Sequence, residues 1–231
     1  MKKKKPTIDV VILSHAKADN FKQMTINCID SLIHSSDNYN FNIYVVESNH
    51  DVFYNNCTTL HLQQEFNYNA YANRAIELGS NKWICVCNND VIFTNACFEE
   101  MLFYSYDSMS PLSLTSESQS EFKTLKRPVK GYSIGKHVAG WCLLFTREIW
   151  NLIEGLDEHV SFWASDDAYA EQLKQYNVEH YLIPTAVANH INGGSNTLNT
   201  LDMNTREQMT FNQVKKFNKK YNKNLFNLGE N

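Results

Sequence analysis

Three short apolar runs, Ile8 to Leu13, Phe41 to Val46 and Trp83 to Cys87, alternate with segments of helical periodicity, which restricts the fold more than any other feature. Apolar runs of this length, bounded by polar residues, read as buried strands. After the first, Phe21, Met24, Cys28 and Leu32 recur on one helix face, predicting a helix over Asn20 to His34. Ala70 to Leu78 predicts a second helix, closed by Gly79 as its C-terminal cap, and Phe98 to Tyr104 a third. Such alternation with short connections implies an α/β single domain with a mostly parallel central sheet and helices on both faces.

Elsewhere the pattern is less regular. Leu60 to Phe66 reads as a short strand and loop, and the serine-rich Ser105 to Ser120 as a loop or excursion. Trp141 to Phe145 predicts a strand and Glu148 to Ile153 a short helix. Asp166 to Tyr176 predicts a helix with Ser165 as N-cap and carboxylates in its first turn. Tyr181 to Ile183 predicts a strand ending at Pro184, and Gly193-Gly194-Ser195 a turn or mobile loop. The segment holding Phe211, Val214 and Phe217 reads as an amphipathic helix laid on the body. The division expected is a domain over 7–195 and a C-terminal helical extension over 196–231.

Composition limits the function classes. The formal charge of -4 gives no whole-molecule attraction to nucleic acid. Lys2 to Lys5 and the group Lys215, Lys216, Lys219, Lys220 and Lys223 read as solvated faces, with contact to an anionic acceptor or membrane surface as the alternative. The apolar run after Lys2-Lys3-Lys4-Lys5-Pro6 is too short for a signal peptide, and nothing approaches a membrane span. Cysteines 28, 57, 85, 87, 97 and 142 lack zinc-site spacing and read as reduced thiols in a cytoplasmic protein. The abundance of Asn and Lys fits an AT-rich genome, viral or from a low-GC bacterium.

Chemistry is expected where parallel strands end, because ligands bind at their carboxyl ends. There the third run gives Cys87-Asn88-Asn89-Asp90-Val91. No Gly-x-Gly-x-x-Gly and no phosphate loop is present, and 8 glycines leave little for a glycine cradle. A nucleotide diphosphate would have to be held through a divalent cation, for which Asp90 is an oxygen ligand.

The order of motifs resembles the GT-A fold glycosyltransferases, family two in particular, over roughly residues 8 to 195. Ile12-Leu13-Ser14-His15 is similar to the family's nucleotide-binding opening, and Val45-Val46-Glu47-Ser48-Asn49 to its second strand with an acidic end. Asn69-Ala70-Tyr71-Ala72-Asn73-Arg74-Ala75-Ile76 resembles the helix before the metal motif, and Asn88-Asn89-Asp90 stands at the Asp-x-Asp position. Gly140-Trp141-Cys142-Leu143-Leu144-Phe145 resembles the acceptor-side strand, and Gly155-Leu156-Asp157-Glu158 a Gly-Phe-Asp-Glu turn. Trp163-Ala164-Ser165-Asp166-Asp167 matches the segment of the catalytic base, and His190 the late metal-binding histidine. Two departures stand out: Asn88 replaces the first motif carboxylate, and Ser165-Asp166 replaces the usual Glu-Asp pair.

The resemblance implies sugar transfer from a nucleotide-sugar, UDP-linked, to an acceptor hydroxyl with inversion. Asp90 and His190 would hold Mn2+ or Mg2+, the imidazole favouring manganese. Ser14, His15, Glu47, Asn73, Arg74, Asn88 and Asn89 would surround the nucleotide. Asp166 would be the general base, with Asp167 supporting the loop or meeting the acceptor. Gly140, Trp141 and Trp163 would line the substrate side. Acceptors consistent with the sequence are a glycan, a protein side chain or a modified base in viral DNA. The alternatives are a non-catalytic nucleotide-sugar or glycan-binding protein on the same fold, or a nucleotidyltransferase. Residue by residue, structural readings also exist: carboxylates in a first helical turn favour the helix dipole, Asp90 can cap a turn, and Trp141 and Trp163 can be core.

Overall fold

β1 (Thr7–Ser14) is bonded in parallel to β2 (Asn40–Glu47) on one side and β4 (Trp83–Asn88) on the other. β3 (Thr58–Leu60) extends this parallel half beyond β2. β8 (Cys142–Thr146) runs antiparallel to both β4 and β6 (Ser108–Leu112). β6 is parallel to β9 (Tyr181–His190), on which β5 (Val91–Phe93) and β7 (Val129–Lys130) lie antiparallel. The order is β3-β2-β1-β4-β8-β6-β9-β5, with β7 also on β9. The structure, a computed structural model, describes residues 5–191 and 203–225.

The apolar run of β1 is continuous because both faces of the sheet are covered. Ile8, Val10 and Ile12 pack against Cys28, Ile29 and Leu32 of α1 (Asp19–Ile33) and Phe98 and Met101 of α3 (Cys97–Phe103). Val11 and Leu13 face Tyr71, Ala75 and Ile76 of α2 (Tyr68–Ile76), Ile149 of α4 (Arg147–Leu152) and Leu173 of α5 (Ser165–Gln175). This is the α/β, two-faced architecture expected. The cysteines are free thiols, with Cys28, Cys85, Cys87, Cys97 and Cys142 buried as small apolar residues. α6 (Met203–Tyr221) sets Val214 and Phe217 inward, while Phe211 stays exposed. No helix among the described residues is long and apolar enough to cross a membrane.

Several local expectations change. Ser105 to Ser120 holds the buried strand β6; its serines satisfied their hydroxyls internally, and Ser108 and Ser110 hydrogen-bond the buried His180. β9 continues through Pro184 because its register against β6 shifts there: Pro111 pairs with Ile183, but Leu112 with Val187. An irregularity of this kind tolerates the missing proline N–H. The strand expected at Leu60 to Phe66 lies at Thr58–Leu60. Gly79 is not a left-handed cap; α2 closes at Glu77 in right-handed geometry. Gly79 instead makes room for Asp9, whose Oδ2 would lie 2.3 Å from a Cβ at that position. Asp9 is buried, paired with Arg147 at 2.9 Å and bonded by Asn81 N–H at 2.8 Å. Ser165 is the first residue of α5, not its cap; Ala164 holds that place and Ser165 Oγ donates to Phe162 O at 2.6 Å. Gly193-Gly194-Ser195 lies outside the described residues.

Candidate active site

The pairing of β5 with β9 sets Val91 opposite His190, and Ile191 N–H donates to Asp90 O at 3.0 Å. That ladder brings Asp90 Oδ1 to 3.1 Å from His190 Nε2. The approach has ion-pair distance without hydrogen-bond alignment, so Asp90 Oδ1 is buried with no donor. Two cis ligands, each about 2.1 Å from one cation, stand about 3 Å apart. The orphaned oxygen and the spacing fit a divalent cation. No group of three or more His, Cys, Asp or Glu able to hold a metal exists among the described residues. Trp141 lies flat on the His190 ring, 5.5 Å between centroids at 9°, and fixes its plane.

His190, Asn88, Gly140, Trp141, Trp163 and Asp166 share one cavity of about 660 Å3. Asp166 reaches it from the first turn of α5. The turn before that helix puts Ala164 in the left-handed region at φ 61°, a conformation that costs a non-glycine residue about 1 kcal/mol or more. Ala164 is held there by Val160, Ala168, Phe217 and Tyr221, the last two from α6. Gly140 passes directly under Asp166: a Cβ on Gly140 would lie 2.7 Å from Asp166 Cβ and Oδ2. Burial raises the Asp166 pKa, against the pull of its own and Asp167's backbone N–H groups. Asp167 N–H donates to Asp166 Oδ1 at 3.2 Å.

Asp167 does not line this cavity. It borders a second one of about 650 Å3, with Glu171, Lys174 and Phe217. Burial first, and the Asp166 charge second, push its pKa up to about 6.

The other expected residues divide into two groups. At the ends of β1, β2 and β4, Glu47 is buried with both oxygens taken by protein donors. Oε1 accepts from Ala16 N–H at 3.0 Å and Asn49 N–H at 2.8 Å, and Oε2 from Tyr54 O–H at 2.7 Å. Ser14 Oγ bonds Thr25 at 2.8 Å, and Asn89 Nδ2 donates to Thr25 at 3.0 Å. His15 is exposed beside them, its pKa lowered by desolvation and by Lys17. Asn73 and Arg74 face the Gly155-Leu156-Asp157-Glu158 turn instead. Asn73 donates to Leu156 O at 2.8 Å and accepts from Leu156 N–H at 2.9 Å and Trp150 Nε1–H at 3.0 Å. Arg74 pairs with Glu77 at 2.9 Å and Glu158 at 3.6 Å. Asp157 anchors that turn to α6 through Lys220 and Tyr221, each at 2.7 Å. Burial opposes its charge, but these bonds outweigh it and hold its pKa below the ordinary value.

Sequence reasoning missed Tyr68, Phe162 and the loop Thr115 to Ser118, which also line the cavity. Tyr68 O–H donates to Asn88 Oδ1 at 3.2 Å and so orients the residue at the motif's first position. Its place at the start of α2, just after the Asn67 cap, was the available signal. The loop carried none, because β6 had not been recognised before it.

Three solved structures share this architecture at 11% identity. The mannosyltransferase PcManGT of Pyrobaculum calidifontis, in complex with GDP-Man and Mn2+, superposes with a TM-score of 0.65 over 95% of this chain. S. aureus TarS gives 0.60 over 97%, and GalNAc-T7 with UDP, GalNAc and Mn2+ gives 0.64 over 94%. The fold is GT-A. This GT-A chain spans 65% of the mannosyltransferase, 75% of TarS and 50% of GalNAc-T7. Neither a protein-family model nor a curated protein matches the GT-A chain's sequence.

Proposed function

We propose that this chain is a cation-dependent glycosyltransferase that moves a sugar from a nucleotide-sugar to an acceptor hydroxyl with inversion. The observation that carries the reading is the shared cavity: His190, with Asp90 beside it, and Asp166 border one space. The GDP-Man and Mn2+ in one fold relative's complex, and the UDP, GalNAc and Mn2+ in another's, are in keeping with it. Uridine is the base taken here, from the sequence resemblance.

Asp90 and His190 are the residues that would hold Mn2+ or Mg2+. A bound cation supplies charge neutralisation for the diphosphate that leaves. The chain's own residues do the rest. Asn88, oriented by Tyr68, faces the donor, and Trp141 keeps the His190 ring in register. Asp166 accepts the proton of the acceptor O–H as its oxygen attacks the anomeric carbon and the bond to the diphosphate oxygen breaks. One displacement by one acceptor inverts that carbon. The raised pKa of Asp166 suits a base whose partner is a weakly acidic hydroxyl.

The test pairs calorimetry of UDP with and without Mn2+ with turnover of a nucleotide-sugar panel. Cation-dependent UDP binding with hydrolysis or transfer of one donor is expected. Binding that stays free of turnover with donor and acceptor supplied would assign a non-catalytic binding protein instead.

A further inference from the structure

We propose that the acceptor is an uncharged glycan laid across the aromatic rim of the cavity, in preference to any phosphate-bearing polymer. This rests on the transferase reading above and names its acceptor class.

The rim is a run of rings. Phe66, 43% exposed, touches Phe162 at 6.1 Å between centroids. Phe162 meets Tyr68 at 6.3 Å and 65°, and Trp163 at 5.6 Å and 77°. The run therefore leads from the surface to Trp163, three residues before the proposed base. A ring set serving only as core would be covered, yet Phe162 and Trp163 are half-buried and border open space. Aromatic faces bury the C–H face of a pyranose while leaving its hydroxyls free for polar partners. Such a partner is at hand. Trp163 Nε1–H is buried with no acceptor, an unmet donor that a ligand oxygen would satisfy.

Charge decides among ligands that can stack. Besides the phenols of Tyr68 and Tyr169, the titratable residues lining the cavity are Glu117, Asp166 and His190, and no Lys or Arg lines it among the described residues. A nucleic acid or phosphate-bearing glycan gains most of its affinity from Lys and Arg contacts to phosphate. Here its phosphates would meet carboxylates. The exposed lysines of α6, Lys215, Lys216 and Lys219, are outside this lining. A flipped base could stack on Phe162, but the phosphates flanking it would lack a cation. A neutral oligosaccharide suffers no such penalty.

The test titrates the full chain, with and without Mn2+ and UDP, following Trp fluorescence. The panel holds neutral oligosaccharides, their phosphorylated counterparts, single-stranded oligonucleotides and Ser/Thr peptides. A neutral oligosaccharide should bind saturably with little dependence on salt. Phe162→Ala should weaken that binding about tenfold, the scale of one lost stacking contact, while Mn2+–UDP affinity stays unchanged. Tightest binding by a phosphorylated glycan, an oligonucleotide or a peptide overturns the proposal. So does a neutral panel that never saturates, or a Phe162→Ala protein that binds glycan like wild type. Failure of UDP to bind under any condition sinks the transferase reading separately, and the titrations without nucleotide still decide the rim.

Discussion

Asp90 Oδ1 and His190 Nε2 stand 3.1 Å apart although one hundred residues separate them in sequence, and a backbone ladder is what joins them. The contact is poor as a hydrogen bond and well spaced as two ligands of one cation. Asp90→Ala should abolish the Mn2+ dependence of UDP affinity while the fold is retained. His190→Ala should weaken it by about tenfold or more, the scale seen when a metal site loses part of its shell. Calorimetry across a Mn2+ series reads both. Manganese-dependent affinity unchanged in Asp90→Ala would remove the site from these residues.

Asp166 and Asp167 are neighbours in sequence but border different cavities, and this separates their expected roles. Asp166→Asn should keep donor binding and lose transfer by about a hundredfold or more. Wild-type rate should fall as pH drops through the Asp166 pKa, which burial sets above the ordinary 3.8. Asp167→Asn should leave the rate near wild type. It should also stabilise the protein at neutral pH. The folded pKa of Asp167 is raised to about 6 from 3.8, so the folded state keeps a proton that the unfolded chain has released in that window. Stability from this group therefore falls as pH rises from 3.8 to 6. Its removal should gain about 1 kcal/mol at pH 7 after allowance for solvent screening. Denaturant melts and initial rates of the two variants decide the assignment; a dead Asp167→Asn with an active Asp166→Asn would reverse it.

Gly140 was expected on the substrate side, and a Cβ built there would meet Asp166, the proposed base. Gly140→Ala drives a methyl to 2.7 Å from the Asp166 side chain, so the carboxylate or the turn must move. A misplacement near 1 Å costs about a hundredfold in rate. The expected result is a large fall in kcat with little change in UDP affinity. Unaltered kcat would mean that Asp166 tolerates displacement and is not the positioned base.

The parallel half of the sheet was legible because β1, β2 and β4 are covered on both faces, so their sequences are uninterrupted apolar runs. β6 was not. Its serines look solvent-facing until Ser108 and Ser110 are seen to satisfy a histidine 72 and 70 positions away, and Pro111 reads as a stop. Pro184 misleads for the same reason, since the register shift that accommodates it is a property of two strands together. In the site, the order and spacing of motifs pointed to Asn88, Asp166 and His190, which share a cavity. They did not reveal that Asp167 turns away from it, or that Asn73 and Glu47 have their polar groups engaged by protein partners. Spacing along one strand or helix can be read from sequence; which partner meets a side chain across elements depends on the packed fold.

His180 offers the sharpest test of that packed fold. It is fully buried, with Nδ1 2.8 Å from Ser108 Oγ and Nε2 3.1 Å from His137 O. A carbonyl only accepts, so Nε2 carries the proton, Ser108 O–H donates to Nδ1, and Tyr169 O–H donates to Ser108 at 2.7 Å. The network links α5, which carries Asp166, to the segment leading to Gly140. Desolvation lowers the His180 pKa from 6.5 to about 4. Between those values the unfolded chain takes up a proton that the folded protein refuses, so stability is full above pH 6.5 and declines as pH falls towards 4. The loss should reach about 3 kcal/mol at the acid end. His180→Gln should be less stable than wild type at pH 7 and show a flatter decline between pH 6.5 and 4. Urea melts over that range measure both, and an equally steep decline in His180→Gln would place the acid sensitivity elsewhere.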